Sequence, residues 1–186
     1  MFSKVLVASP PTVDFLSLPE VKTQCAIMEN DNQWDGLLMQ LVAATRLEFE
    51  ARLAQAIVPT EYVTQFDVSE LATGFSAQPP RGPVLSPPDY PARVELPDGT
   101  PIDGVEVNPF TGCLTVPPTP TQQSGYCSLY WYAGMEGQTP ENIKCAGKMM
   151  VAHLFTHRES VQDNAAIVVP QGAEMMLAAS SINGMY

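Results

Sequence analysis

Apolar and polar positions divide the chain into a helical opening, a strand-rich middle and a helical close. The first helix signal is "SLPEVKTQCAIM". Ser17 can cap it, Pro19 suits its first turn and Glu20 completes a capping box. Leu18, Val21, Cys25 and Met28 supply a short apolar stripe, and "ENDN" ends it with residues that favour turns. From Asp31 to about Ile57, apolar residues recur at Trp34, Leu37, Leu38, Leu41, Val42, Leu47, Phe49 and Leu53. No proline interrupts this run, helix formers dominate it, and Glu48 and Arg52 stand four apart with the favourable polarity. Pro59 closes the segment.

The pattern then shortens from helical to alternating. "EYVTQFDV" reads as a strand. "SAQPPRGPVLSPPDYP" reads as proline-rich loop or extended chain, and "ARVELPDGTPIDGVEV" as two short strands around Pro-Asp-Gly-Thr. "NPFTG" is a second turn leading into "CLTV", and "YCSLYWYAG" is an aromatic strand. A third helix opens at "TPEN", with Thr139 as cap and Pro140 at its first position, and runs to about Arg158 or Glu159. Ile143, Met150 and Leu154 line one of its sides, while Gly147 and Lys148 interrupt its apolar face.

These elements predict an α+β fold: an antiparallel helical bundle with a small β-subdomain and long proline-rich loops inserted between the second and third main helices. The boundaries are N-terminal helices over 17–58, inserted β-subdomain over 60–134, and C-terminal helix and tail over 139–186, all in one domain of 186 residues. Leu38, Leu41, Val42 and Phe49 are expected to pack against Ile143, Met150 and Leu154. The tail "IVVPQGAEMMLAASSINGMY" has a proline start, a short helical run and an apolar end. Met175, Met176, Leu177, Ile182, Met185 and Tyr186 share its last stretch with one charge, Glu174. So apolar a chain end is expected to dock on a partner, and methionines suit a surface that must adapt to another shape.

Composition narrows the function. A net charge of −11, with nine scattered basic residues, argues against a protein that grips nucleic-acid backbone. No signal peptide or apolar run near the ~20 residues of a membrane span is read. Cys25, Cys113, Cys127 and Cys145 form no CxxC pair and are expected to be free thiols in a cytosolic setting.

The sharpest chemical candidate is the pair His153 and His157, four residues apart, the spacing by which zinc hydrolases hold two ligands on one helix. That chemistry needs His-Glu-x-x-His, with the glutamate as general base on metal-bound water. Leu154 follows His153, and Cys145 and Glu141 lie two or more turns away, beyond reach of one ion at ~2 Å ligand distances. The pair therefore reads as part of a packing helix. No nucleophile elbow, phosphate loop or dinucleotide fingerprint appears, and Asp98 and Asp103 are explained by turn chemistry and solvent exposure. No cofactor, metal or catalytic residue is expected.

The order of the pieces resembles the head–tail connector (adaptor, or head-completion) proteins of tailed bacteriophages. The resemblance rests on "SLPEVKTQCAI", on "DNQWDGLLMQLVAATRLEFEARLAQAIVPTEYVTQFD", and on "YAG" followed by "TPENIKCAGKMMVAHLFTHRE". The last is similar to the family's Leu/Met-Val-Ala-His-x-Tyr/Phe-x-x-Arg-Glu helix, here Met150 through Glu159. It covers about two thirds of the chain and omits roughly Ser76 to Gly125. It implies a structural virion protein without enzymatic activity: a homo-oligomeric ring, usually of twelve, beneath the portal protein. Such a ring extends the DNA channel without specific DNA binding and offers a surface to the tail or a tail-completion protein. The location implied is the head–tail interface of the virion, and the host cytoplasm during assembly. The resemblance also directs the C-terminal segment to the portal or an adjacent subunit. A tail completion or terminator protein is the nearest alternative, and a metal-dependent hydrolase using His153 and His157 the more distant one. An acidic lumen that repels phosphate suits passing DNA, and proline-rich loops can serve contacts between subunits.

Overall fold

A computed structural model describes residues 4–85, 91–135, 139–157 and 170–182. It is α+β, and the chain crosses between two units. One holds Met1–Thr12 and Ala54–Glu136, the other Val13–Leu53 and Gly137–Tyr186.

The first unit is built on antiparallel strands. β1 (Leu6–Ser9), β2 (Thr60–Asp67), β4 (Val84–Leu85), β5 (Arg93–Glu95), β6 (Pro101–Ile102) and β9 (Tyr126–Ala133) make one sheet. Its order is β1-β2-β9-β5-β6, with β4 also paired to β9. β3 (Phe75–Ala77), β8 (Leu114–Val116) and β7 (Glu106–Val107) make a second sheet in that order. The long pair β2–β9 is in register from Thr60↔Ala133 to Asp67↔Tyr126. Alternation decides its faces: Tyr62, Thr64 and Phe66 point inward with Cys127, Leu129, Trp131 and Ala133, while Glu61, Gln65 and Tyr130 point outward. Apart from Thr64, these inward side chains share one apolar cluster with Val94, Ile102, Leu114 and Val116. Phe66 meets Phe75 edge-on at 4.9 Å, joining the two sheets, and Tyr62 stacks on Trp131 at 5.8 Å.

Part of the proline-rich middle is tied to this core. Trp131 Nε1 donates to the Arg81 carbonyl (3.3 Å), Ala56 N to the Gly82 carbonyl (2.8 Å) and Gly134 N to the Pro83 carbonyl (3.0 Å). Prolines lack N–H donors, so this segment is held mainly through its carbonyl oxygens. On the outer face Arg93 lies 4.2 Å over the Tyr130 ring and pairs with Glu61 (2.6 Å) and Glu95 (3.2 Å).

The second unit holds α1 (Leu18–Gln24), α2 (Asp35–Leu53), α3 (Glu141–Thr156) and α4 (Gln171–Ile182), with α3 touching each of the other three. Glu20 closes the capping box by accepting from Ser17 N (2.8 Å) and Ser17 Oγ (2.6 Å). α2 is shorter than the apolar run suggests. Asp31 instead makes a local turn, accepting from Gln33 N (3.2 Å), and Ala54 ends the helix with φ +52°. Ala26, at φ +55°, ends α1 likewise, with Ile27 N bonded to the Lys22 carbonyl (2.9 Å).

α3 meets its neighbours through a socket. Gly147 is buried, and a Cβ placed on it would lie 2.5 Å from Phe15 Cε2 and 3.1 Å from Leu16 Cδ1. The missing side chain admits the Phe15 ring, which also lies 6.2 Å from Phe49. The interruption in the apolar face is thus where the neighbouring segment comes closest. Leu38, Val42, Phe49, Ile143 and Met150 are buried. Leu41 and Leu154 differ from expectation, being only half-buried. On α2 the inner positions are Leu38, Val42, Thr45, Arg46, Phe49 and Glu50, so Leu41 falls on the flank of the stripe. Arg46 takes an inner position because it reaches Asp14 (3.2 Å) and Glu50 (3.4 Å), all three side chains being little exposed.

Candidate assembly site

The candidate residues of the C-terminal segment divide once placed on α4. Met175 is 75% exposed and Met176 is half-buried, whereas Leu177 is buried at 5%. Leu177 therefore packs mainly within the second unit and leaves only an edge at the surface of α4. Its helix is fastened from both sides: Asn142 Nδ2 donates to the Met176 carbonyl (3.3 Å), and Arg52 reaches Glu174 (3.5 Å). The Ile182 side chain, Met185 and Tyr186 lie outside the described residues, as do Arg158 and Glu159 at the expected end of α3.

Between α2 and α4 runs an open groove of about 270 Å³, lined by Arg52, Leu53, Glu174, Leu177 and Ala178. Its floor is aliphatic. Its rim carries the Arg52 guanidinium, held by Glu48 Oε1 at 2.7 Å. The Glu48 hydrogen bond, the largest influence, holds the Arg52 pKa above its ordinary value, so the rim keeps its cation.

The histidine pair sits in the last turn of α3. Its rings are 4.3 Å apart, and His157 Nδ1 lies 2.9 Å from the His153 carbonyl oxygen, which also accepts from His157 N (3.0 Å). One imidazole is thus used in ending the helix. Among the described residues no group of three or more His, Cys, Asp or Glu is placed to hold a metal. The four cysteines are free thiols. Burial raises the Cys25 pKa, and burial first and the Asp67 charge second raise that of Cys127, which keeps both thiols protonated. No helix among the described residues is long and apolar enough to cross a membrane.

Reading "NPFTG" as a turn leaves out what the turn carries. Phe110, at its centre, is 93% exposed, the most exposed large apolar side chain among the described residues. A large aromatic amid turn-forming residues is the available sequence signal, since a turn needs no such ring.

No protein-family model matches the chain, and no curated protein does. Solved structures do. A chain in "Neck of empty GTA particle computed with C6 symmetry" matches with TM-score 0.69 at 15% identity, over 95% of this chain and 94% of that one. The chain resembles a neck protein in fold. A chain of "Virion of native gene transfer agent (GTA) particle" gives TM-score 0.63 at 17% identity, over 95% and 94% of the two chains. One in "Neck of native GTA particle computed with C12 symmetry" gives 0.56 at 16%, over 90% and 92%. The likeness runs through both units and is one of fold.

Proposed function

We propose that the chain is a structural virion protein of the particle neck: a subunit of a head–tail connector ring that binds beneath the portal, extends the DNA channel and presents a surface to the tail. The fold likeness to gene transfer agent neck chains over 95% of the sequence carries this reading. Sixfold and twelvefold symmetry in those neck structures supports a closed ring, and twelve copies satisfy both. The net charge of −11 supports a lumen through which DNA slides without being held. Within the proposal, Met175 and Met176 on α4, with Ile182, Met185 and Tyr186 beyond them, face the portal or an adjacent subunit. The subunit waits in the host cytoplasm during assembly and ends in the virion, and its role is mechanical rather than catalytic. Particles produced without this chain test the reading: filled heads lacking tails should accumulate, and purified chain should restore tail joining. Tailed, DNA-filled particles at normal yield in its absence would contradict it.

A further inference from the structure

The β7–β8 turn is built to hold an aromatic ring in water. Asn108 N donates to the Cys113 carbonyl (2.9 Å), and Gly112 N to the Asn108 carbonyl (2.8 Å). The Asn108 side chain accepts from Phe110 N (2.9 Å) and Thr111 N (3.2 Å), and Thr111 Oγ1 accepts from Cys113 N (3.3 Å). Pro109 fixes one φ, and Gly112 supplies the φ of +66° that closes the turn. So many local bonds leave the backbone around Phe110 little freedom, and the ring is almost wholly in solvent. An exposed aromatic on a stiff turn loses little conformational entropy on docking, the property expected of a binding anchor.

The chain also carries a receptor of matching chemistry. The groove between α2 and α4, about 270 Å³, offers Leu53, Leu177 and Ala178 as an aliphatic bed. Arg52 at its rim can meet the negative face of an aromatic ring. Met175 lies one helical turn before Ala178, 75% exposed. Its thioether can fold over a ring edge. Residues 107–116, from the end of β7 through β8, contain no charged side chain, so this turn can approach an acidic copy without adding like charge. Knob and groove are different surfaces, so pairing them between copies is head-to-tail, the arrangement that closes into a ring when the rotation allows.

We infer that Phe110 of one copy seats in the α2–α4 groove of the next, and that this contact joins neighbours in the ring. The inference rests on the ring reading and adds the contact that makes it. The test replaces Phe110 by the photo-crosslinking residue p-benzoylphenylalanine in the full chain. A mixture of isotopically light and heavy copies is irradiated, both as concentrated purified protein and in particles. The expected product links residue 110 of one copy to a peptide containing Leu53 or Leu177–Ala178 of another. Phe110→Ala should weaken self-association roughly 30-fold or more, the scale of a hot-spot truncation, without changing the thermal midpoint of the monomer. Ala178→Trp, which fills the groove from an exposed position, should weaken it similarly. Crosslinks within one copy, to another protein, to a different surface of a second copy, or none in either sample would overturn the inference. The neck reading fails separately, if particles made without the chain join tails normally.

Discussion

Gly147 offers a test of how the second unit is packed, because two opposing effects of known scale meet at one atom. Replacing a helix-interior glycine with alanine stabilises the helix by about 0.8–1.0 kcal/mol when the methyl has room. At Gly147 it has none: Phe15 Cε2 and Cζ would lie 2.5 and 2.7 Å away. The ring cannot swing aside easily, being 5% exposed and set against the fully buried Phe49. Overpacking of this kind costs about 1–3 kcal/mol. Gly147→Ala should therefore lose stability on balance, by about 1 kcal/mol. For a chain of this length that is a fall of roughly 2–4 °C in thermal midpoint, read by circular dichroism. Gly36→Ala is the control. Gly36 has nothing within 4 Å of its would-be Cβ, so that change should stabilise by roughly 0.4–1 kcal/mol. In a double-mutant cycle, adding Phe15→Leu to Gly147→Ala should recover part of the loss, with a coupling of roughly 0.5–3 kcal/mol. Stabilisation by Gly147→Ala equal to that of Gly36→Ala would refute the socket.

Other substitutions probe other parts of the account. Ala26→Gly should stabilise by about 0.5–1 kcal/mol in urea unfolding, because alanine is strained at φ +55° and glycine is not. A loss would show that the left-handed helix end is misplaced. Arg46→Met should cost about 3–5 kcal/mol, since it takes the guanidinium away from the little-exposed Asp14 carboxylate; a neutral result would mean that water reaches that carboxylate. At Glu20 the Ser17 hydroxyl first, and the Ser17 amide second, hold the carboxyl below its ordinary pKa. Its contribution is therefore present above the unfolded-state glutamate pKa and lost as pH falls through the lower folded value. Ser17→Ala should cost about 0.5–2 kcal/mol at neutral pH and shrink the stability lost on acidification; an unchanged acid limb would show that the capping box is not formed in solution. Chain purified without chelator should hold no stoichiometric zinc, and one zinc per chain by mass spectrometry would revive the hydrolase reading of His153 and His157.

What could be read from the sequence was what local chemistry dictates. Ser17 and Glu20 announce a helix start because the two residues satisfy each other's neighbouring backbone, and they do so here. The alternation in "EYVTQFDV" and "YCSLYWYAG" identifies two strands, which become the longest pair in the sheet. The helix ends at Ala26 and Ala54 were hidden because the conformation usually advertised by glycine is taken by alanine. β1 was missed because all four of its residues are exposed, so no alternation marks it. Arg46 can take an inner position on α2 because it meets Asp14, from a segment before α1, as well as Glu50 one turn on, and helical spacing does not show the first of these contacts. The burial of Leu177 was hidden because sequence does not show that α4 packs on α3. At the assembly site the methionines were visible as composition. The groove between α2 and α4 was not, since it is made by residues more than a hundred positions apart.

The central claim is that the chain builds the neck, and a reconstruction of whole particles containing it tests that most directly. Images of the head–tail junction should show a closed ring between portal and tail, into whose density α1 to α4 and both sheets can be traced as repeated copies. Twelve copies around the axis, with the channel open through their centre, is the predicted result. A fully traced junction with no density for this fold, or the chain found elsewhere in the particle, would contradict the account.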